Sequence, residues 1–308
     1  MKPIPPGGVL LLDKPTGPSS NEALQVVRRL LGAGRAGHGG TLDPLASGLL
    51  LVLLEEATRF ARFVLETDKE YVAEAVLGAR TSTGDAEGEV IEQGPVPPEG
   101  AAIEPALASL RGAIEQVPPM HSALKRGGRP LYTLARRGET VERVPRTVTV
   151  HALELIERRG ERLRLRVRCA KGTYVRTLVE QLGTRLGTAA HLASLRRTAI
   201  GAFRVEEAIG LEALRALAPA ERQSWVRPVD LLLSHIREAH LSPGQTERFL
   251  RGQSVVVPEA ELEGWVAVRD SQGRLLGVGR AVAGDRLRPV RLRDPRALQL
   301  ADLTGKTL

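Results

Sequence analysis

The sequence predicts a two-domain globular chain in which short strands and helices mix, with a smaller, mostly β module at its C-terminal end. Three observations predict it. The 308 residues, 42% of them hydrophobic, suffice for a sizeable core divided between two domains. Strand-like and helix-like apolar patterns follow one another up to about residue 237. Beyond that point only one short helix pattern remains, followed by short strands separated by turn residues.

The elements follow in order. Residues 9–12 read as a short buried strand ended by Asp13-Lys14-Pro15, with a turn through Gly17-Pro18. Ser19-Ser20-Asn21-Glu22 has the spacing of a capping box, and Leu24, Val27 and Leu31 form the apolar stripe of a helix stopped by Gly32. Residues 32–48 read as a long glycine-rich loop, and loops of that length in compact domains are usually functional. Strands are expected over 49–54 and 71–77, a turn over 81–85, and an irregular Pro/Gly-rich segment over 93–105. Residues 162–169 alternate strictly, with Leu163, Leu165, Val167 and Cys169 on one face and four arginines on the other. That arginine face suits either an ordinary solvated surface or an RNA-facing one. A helix is expected over 173–187, and another from Ser242-Pro243 to about Arg251, followed by strands at 254–257, 265–269, 275–278 and 287–292.

Composition narrows the function. The longest apolar run, 49–54, is far too short to cross a membrane, and the N-terminus has no signal-peptide pattern. Cys169 stands alone, so no internal disulfide can form and a reducing cytoplasm is expected. Against 36 acidic residues stand 44 basic ones, a formal charge of +8, which favours a polyanionic partner such as nucleic acid. Of the basic residues 38 are Arg, which suits phosphate pairing and base stacking but is equally what a GC-rich genome encodes. The six histidines show no paired ligand spacing, and neither a Walker A pattern nor a dinucleotide fingerprint is present. Neither a metal nor a cofactor is therefore expected.

Three segments carry chemistry. In Gly37-His38-Gly39-Gly40-Thr41-Leu42-Asp43-Pro44, the glycines permit close approach to a ligand, and Pro44 restricts Asp43 to an extended conformation. A carboxylate so held can serve as nucleophile or base, although Asp before Pro is also an ordinary turn residue. Lys69-Glu70-Tyr71 opens a strand, and Gly172-Thr173-Tyr174-Val175-Arg176-Thr177 leads into a helix. Tyrosine can stack on an extruded base, and arginine can pair with a carboxylate or phosphate.

Taken in order, five motifs resemble one family, the bacterial tRNA pseudouridine-55 synthases known as the TruB family. They are Gly8-Val9-Leu10-Leu11-Leu12-Asp13-Lys14-Pro15 with Ser19-Ser20, the His38 to Pro44 loop, and Lys69-Glu70-Tyr71 with Thr81-Ser82-Thr83-Gly84-Asp85. Pro118-Pro119-Met120 with Ser122-Ala123-Leu124-Lys125, and the Gly172 to Thr177 segment, complete the series. Gly39, His121 and Val175 depart from the residues frequent there, which are Thr, Tyr and Ile.

The resemblance covers the whole chain and carries expectations. It implies an α+β catalytic domain, residues 1–237, around a mixed, largely antiparallel sheet, and a small β-rich PUA-type RNA-binding domain, residues 238–308. It implies that Asp43 is the catalytic aspartate, that Tyr71 stacks on the flipped uracil, and that Arg176 pairs with Asp43. Tyr174 and Leu195 would line the base pocket, His38 would support the distorted T-loop, and Asp85 would touch the flipped nucleotide. Lys14 would hold the loop architecture or the RNA. The implied activity is isomerisation of uridine 55 in the tRNA T-loop, by a cytoplasmic monomer using neither cofactor nor metal. A non-catalytic RNA-binding protein on the same scaffold would have no need of Asp43, and a glycoside or nucleoside hydrolase would want a second nearby carboxylate.

Overall fold

The computed structural model of this chain describes residues 7–99, 101–122, 124–135, 137–139, 141–257, 263–282 and 285–294. Ala123, residues 1–6 and residues 295–308, which the expectations above include, lie outside the described residues.

An 11-stranded sheet forms the larger body. Its main path runs Ile209–Gly210, Gly8–Lys14, Ala46–Leu54, Ala190–Ile200, Lys69–Leu77, Arg162–Cys169, Arg146–Arg159, Gly112–Gln116. Two junctions on this path are parallel, Gly8–Lys14 with Ile209–Gly210 and Ala46–Leu54 with Ala190–Ile200, and the rest are antiparallel. The expected mixed, largely antiparallel α+β architecture is thus observed. The strands at 8–14 and 46–54 carry unbroken apolar runs because helices cover one face and the C-terminal body lies against the other. Strand Arg162–Cys169 alternates exposed and buried residues throughout its length, as its sequence does. Its arginines pair on the outer face: Arg162 with Glu74, Arg166 with Glu154 at 3.2 Å, Arg168 with Asp68 at 3.3 Å. Exposed pairs like these are each worth at most about 1 kcal/mol, and three of the four arginines are accounted for as a solvated face.

Helix Ser20–Leu30 starts at the capping box read from the sequence. The Ser19 hydroxyl accepts from the Glu22 N–H at 3.2 Å, and the Glu22 carboxylate accepts from the Ser19 N–H at 2.7 Å. Such a cap contributes about 1 kcal/mol. Helix Val175–Arg185 buries Val175, Leu178, Val179 and Leu182 in one apolar cluster with Leu163, Leu165, Val167 and Leu192 of the sheet.

Two expectations are corrected. The 32–48 segment is not all loop, because Ala36–His38 pairs as a strand with Ala46–Leu54, and that strand begins three residues earlier than its apolar run. The irregular 93–105 segment is bounded by order at both ends, with Gln93 closing a strand and Pro105 lying in helix Glu104–Ala108.

The second sheet has five strands, in the order Arg237–Leu241, Trp265–Asp270, Leu275–Val282, Arg286–Leu292, Val255–Val256, with helix Pro243–Leu250 beside it. It packs on the first body through shared apolar residues: Ala267, Leu275 and Val278 join Phe60, Phe63, Leu232 and Leu233 in one buried cluster. The Trp265 ring meets Phe63 edge-on at 5.4 Å between centroids, and the Arg62 guanidinium lies 5.0 Å above it. Ion pairs rim the contact, Arg293 to Glu56 at 3.2 Å and Arg269 to Asp230 at 2.7 Å. Among the described residues no helix is long and apolar enough to cross a membrane.

Candidate active site

Asp43 is placed by backbone bonds from both sides. The Ser20 hydroxyl accepts from the Leu42 N–H at 2.7 Å and donates to the Leu42 carbonyl at 2.9 Å, so one buried side chain holds the residue before Asp43. The Gly17 N–H donates to the Pro44 carbonyl at 2.9 Å, and the Ala46 N–H to the Asp43 carbonyl at 3.0 Å. Beneath that turn Lys14 is wholly buried, its ammonium donating to the carbonyls of Pro15 at 2.7 Å and Pro18 at 2.8 Å. The N-terminal motif and the aspartate loop, far apart in the sequence, are therefore one structure.

The Asp43 carboxylate meets Arg176, with Oδ2 3.0 Å from Nη2. The Arg176 guanidinium is buried and cannot turn away. It lies 3.4 Å from the buried Asp85 carboxylate and donates to the carbonyls of Thr83 at 2.9 Å and His121 at 2.6 Å. Asp43 itself is 41% exposed at the side chain, so one carboxylate of the pair is open to a ligand while its partner is fixed.

Both open onto a cavity of about 270 Å³. Tyr71, Leu195 and Tyr174 line its walls, together with His121 and Lys69. Burial pushes the phenols of Tyr71 and Tyr174 above the ordinary tyrosine range, which keeps both neutral. Tyr174 is the N-cap of helix Val175–Arg185 and lacks a side-chain cap. The buried Gln116 amide anchors the N-cap residue instead, accepting from the Tyr174 N–H at 3.0 Å and donating to the Tyr174 carbonyl at 3.3 Å. The floor is cationic. Lys69 donates to the carbonyls of Leu65 at 2.8 Å and Thr67 at 2.5 Å, and Arg197 lies fully buried beside it. Burial, reinforced by the Arg197 charge, pulls both Lys69 and Lys14 down to about 8.

The structure brings Asp43, Arg176, Tyr71, Tyr174 and Leu195 to one cavity. Three expected residues stand outside its wall. Asp85 is 3% exposed and lies behind Arg176, 3.4 Å from its guanidinium and accepting from the Thr83 hydroxyl at 2.5 Å. The Lys14 ammonium is occupied by the turn carbonyls of Pro15 and Pro18. His38 sits in the short strand opposite Val52 with its Nδ1 buried and unpartnered, and burial lowers its imidazole below the ordinary range. The departure at Gly39 has a packing reason: a Cβ there would lie 2.8 Å from Val64 Cγ1. Ser20, Gln116 and Arg197 were not singled out from the sequence. Ser20 stood inside a recognised motif, whereas Arg197 is one of 38 arginines and carries no local signal. Among the described residues no three His, Cys, Asp or Glu side chains are grouped as metal ligands.

Comparison with known proteins agrees with this geometry. Residues 28–175 match the N-terminal domain of the TruB family pseudouridylate synthases, 176–234 the tRNA pseudouridylate synthase B C-terminal domain, and 238–292 the C-terminal model of pseudouridine synthase II TruB. The tRNA pseudouridine synthase B of Azoarcus sp. (strain BH72) is 50% identical over 92% of this chain and 94% of that protein. That of Stutzerimonas stutzeri (strain A1501) is 49% identical over 92% and 95%. A chain from the crystal structure of a Cbf5-Nop10-Gar1 complex superposes with a TM-score of 0.74 at 28% identity, covering 94% of this chain and 85% of that one. Another, from an H/ACA RNP bound to a substrate RNA containing 2′-deoxyuridine, gives 0.71 at 26% identity, covering 94% and 86%. Fold and site together define an isomerase of the pseudouridine synthase class. Within that class, the chain belongs to the TruB family.

Proposed function

We propose that this protein isomerises uridine to pseudouridine in tRNA, at position 55 of the T-loop, working in the cytoplasm as a monomer without cofactor. The observation that carries the reading is the half-open Asp43 carboxylate facing a cavity while a buried arginine holds its other side at 3.0 Å. A uridine flipped out of the T-loop enters the cavity, Tyr71 stacks on the base, and Leu195 and Tyr174 exclude water. Asp43 is the nucleophile. Its attack on the nucleotide lets the N1–C1′ bond break, the retained uracil turns, C5 bonds to C1′, and the C5 proton leaves to solvent while N1 takes one up, as the carboxylate is released. No atom other than protons is exchanged, so the sum is an isomerisation. Arg176 keeps Asp43 aimed, and the Lys69 ammonium on the cavity floor favours negative charge developing on the uracil. The C-terminal body acts as a PUA-like module that contacts the RNA, and extruding the base costs a few kcal/mol that phosphate contacts offset.

The test is tritium release from C5-labelled uridine in an unmodified tRNA transcript. Release by the wild type, its loss in Asp43→Asn with tRNA affinity retained, and its loss when uridine 55 is replaced by cytidine are the expected results. A folded wild type that binds tRNA and releases nothing would make this an RNA-binding protein instead.

A further inference from the structure

Among the described residues Arg197 is the largest side chain that is fully buried, at 1% exposure, and no carboxylate pairs with it. Its charge is met by dipoles. Nε donates to the Leu49 carbonyl at 2.7 Å, Nη2 to the Gly40 carbonyl at 3.0 Å, and Nη1 reaches the Thr41 carbonyl at 3.4 Å. These carbonyls lie on both sides of Asp43, on the descending arm of its loop and on the strand that leaves it. The backbone of the same residue pairs with Gly48, whose φ of +100° places an absent Cβ 2.3 Å from the Arg197 carbonyl, so the two chains touch there as only glycine allows. The guanidinium also faces Tyr71, whose hydroxyl feels its charge, and it lines the cavity. A buried cation without an anionic partner is costly, and a leucine or methionine would fill the same space with less penalty.

We propose that Arg197 is the positioning residue of the active site, a buried fork that fixes both arms of the Asp43 loop and the Tyr71 ring in one geometry. This rests on the isomerase reading above. A planar fork reaches three carbonyls at fixed angles, whereas an ammonium is a point charge that can satisfy only part of the set. The residue never needs to touch the substrate. Its effect falls on how often Asp43 stands in attacking position, and small displacements of that kind cost about 10²-fold in rate.

The experiment measures single-turnover tritium release and tRNA affinity side by side for wild type, Arg197→Lys, Arg197→Met and Arg197→Ala. Expected are a rate loss of about 10²-fold for Met and Ala, a smaller loss for Lys, and unchanged tRNA affinity. Removing the side chain opens a hole onto the cavity, so low concentrations of guanidinium chloride should restore part of the Ala rate. Urea, planar and of similar size but neutral, should not. Because Lys retains the charge and most of the volume, its rate decides the matter even where Ala fails to fold. Full activity of Lys or Met, loss of affinity in proportion to rate, or equal rescue by urea would each overturn the proposal. A wild type without activity would instead sink the isomerase reading, and the two failures are thus distinguishable.

Discussion

Lys69 is buried close to the Arg197 charge, and its titration follows from that. In the unfolded chain it keeps its proton up to 10.5, but in the folded chain only to about 8. Between those values the unfolded state binds more protons, so raising the pH through that window favours folding. The stability of the wild type relative to Lys69→Met should therefore rise as urea titrations are moved from pH 8 to 10.5; a gap that stays flat would show the lysine to be better solvated than its burial implies. Asp43 and Lys69 differ in how they could be read beforehand. Asp43 announces itself through Pro44 and four nearby glycines, whereas the burial of Lys69 depends on where residues 64 to 67 fold over it. Arg197 is the extreme of the second kind, since neither its neighbours nor its spacing distinguish it from the half-exposed Arg196 beside it, which pairs with Asp13 at 2.8 Å.

The helix that presents Arg176 starts without a side-chain cap, and Gln116 on the sheet's last strand instead pins the backbone of its N-cap residue, Tyr174. Gln116→Leu should then cost about 1–3 kcal/mol, read as a lower urea midpoint, and should slow turnover because Arg176 follows Tyr174 by two residues. An unchanged rate in a destabilised variant would confine Gln116 to the fold. Elements with a strong period were legible: Arg162–Cys169 alternates because one face is core and the other water, and Ser20–Leu30 begins at a side-chain signal. Those made by partners were not. Ala46, Ser47 and Gly48 have poor strand propensity, yet they extend because Leu195, Arg196 and Arg197 pair alongside them. The order of the strands in the sheet depends on pairings between distant residues, which no local pattern encodes.

The two sheets share an apolar cluster, so the C-terminal body is part of the fold and not a loosely tethered module. Ending the chain at residue 237 would uncover Phe60, Phe63 and Leu233, and the truncated protein should melt at a lower temperature than the full chain as well as bind tRNA more weakly. An unchanged melting temperature would show that the shared cluster contributes little. Strand Gly8–Lys14, near the start of the chain, finds its two flanks far apart in the sequence: Ala46–Leu54 on one side, Ile209–Gly210 and Arg227–Pro228 on the other. During translation this apolar strand leaves the ribosome early and waits for some two hundred further residues before its second edge can be covered. At ordinary elongation rates that is about 10–40 s, during which the nascent chain displays Val9 to Leu12 and Leu49 to Leu54 to whatever in the cell binds exposed hydrophobic segments.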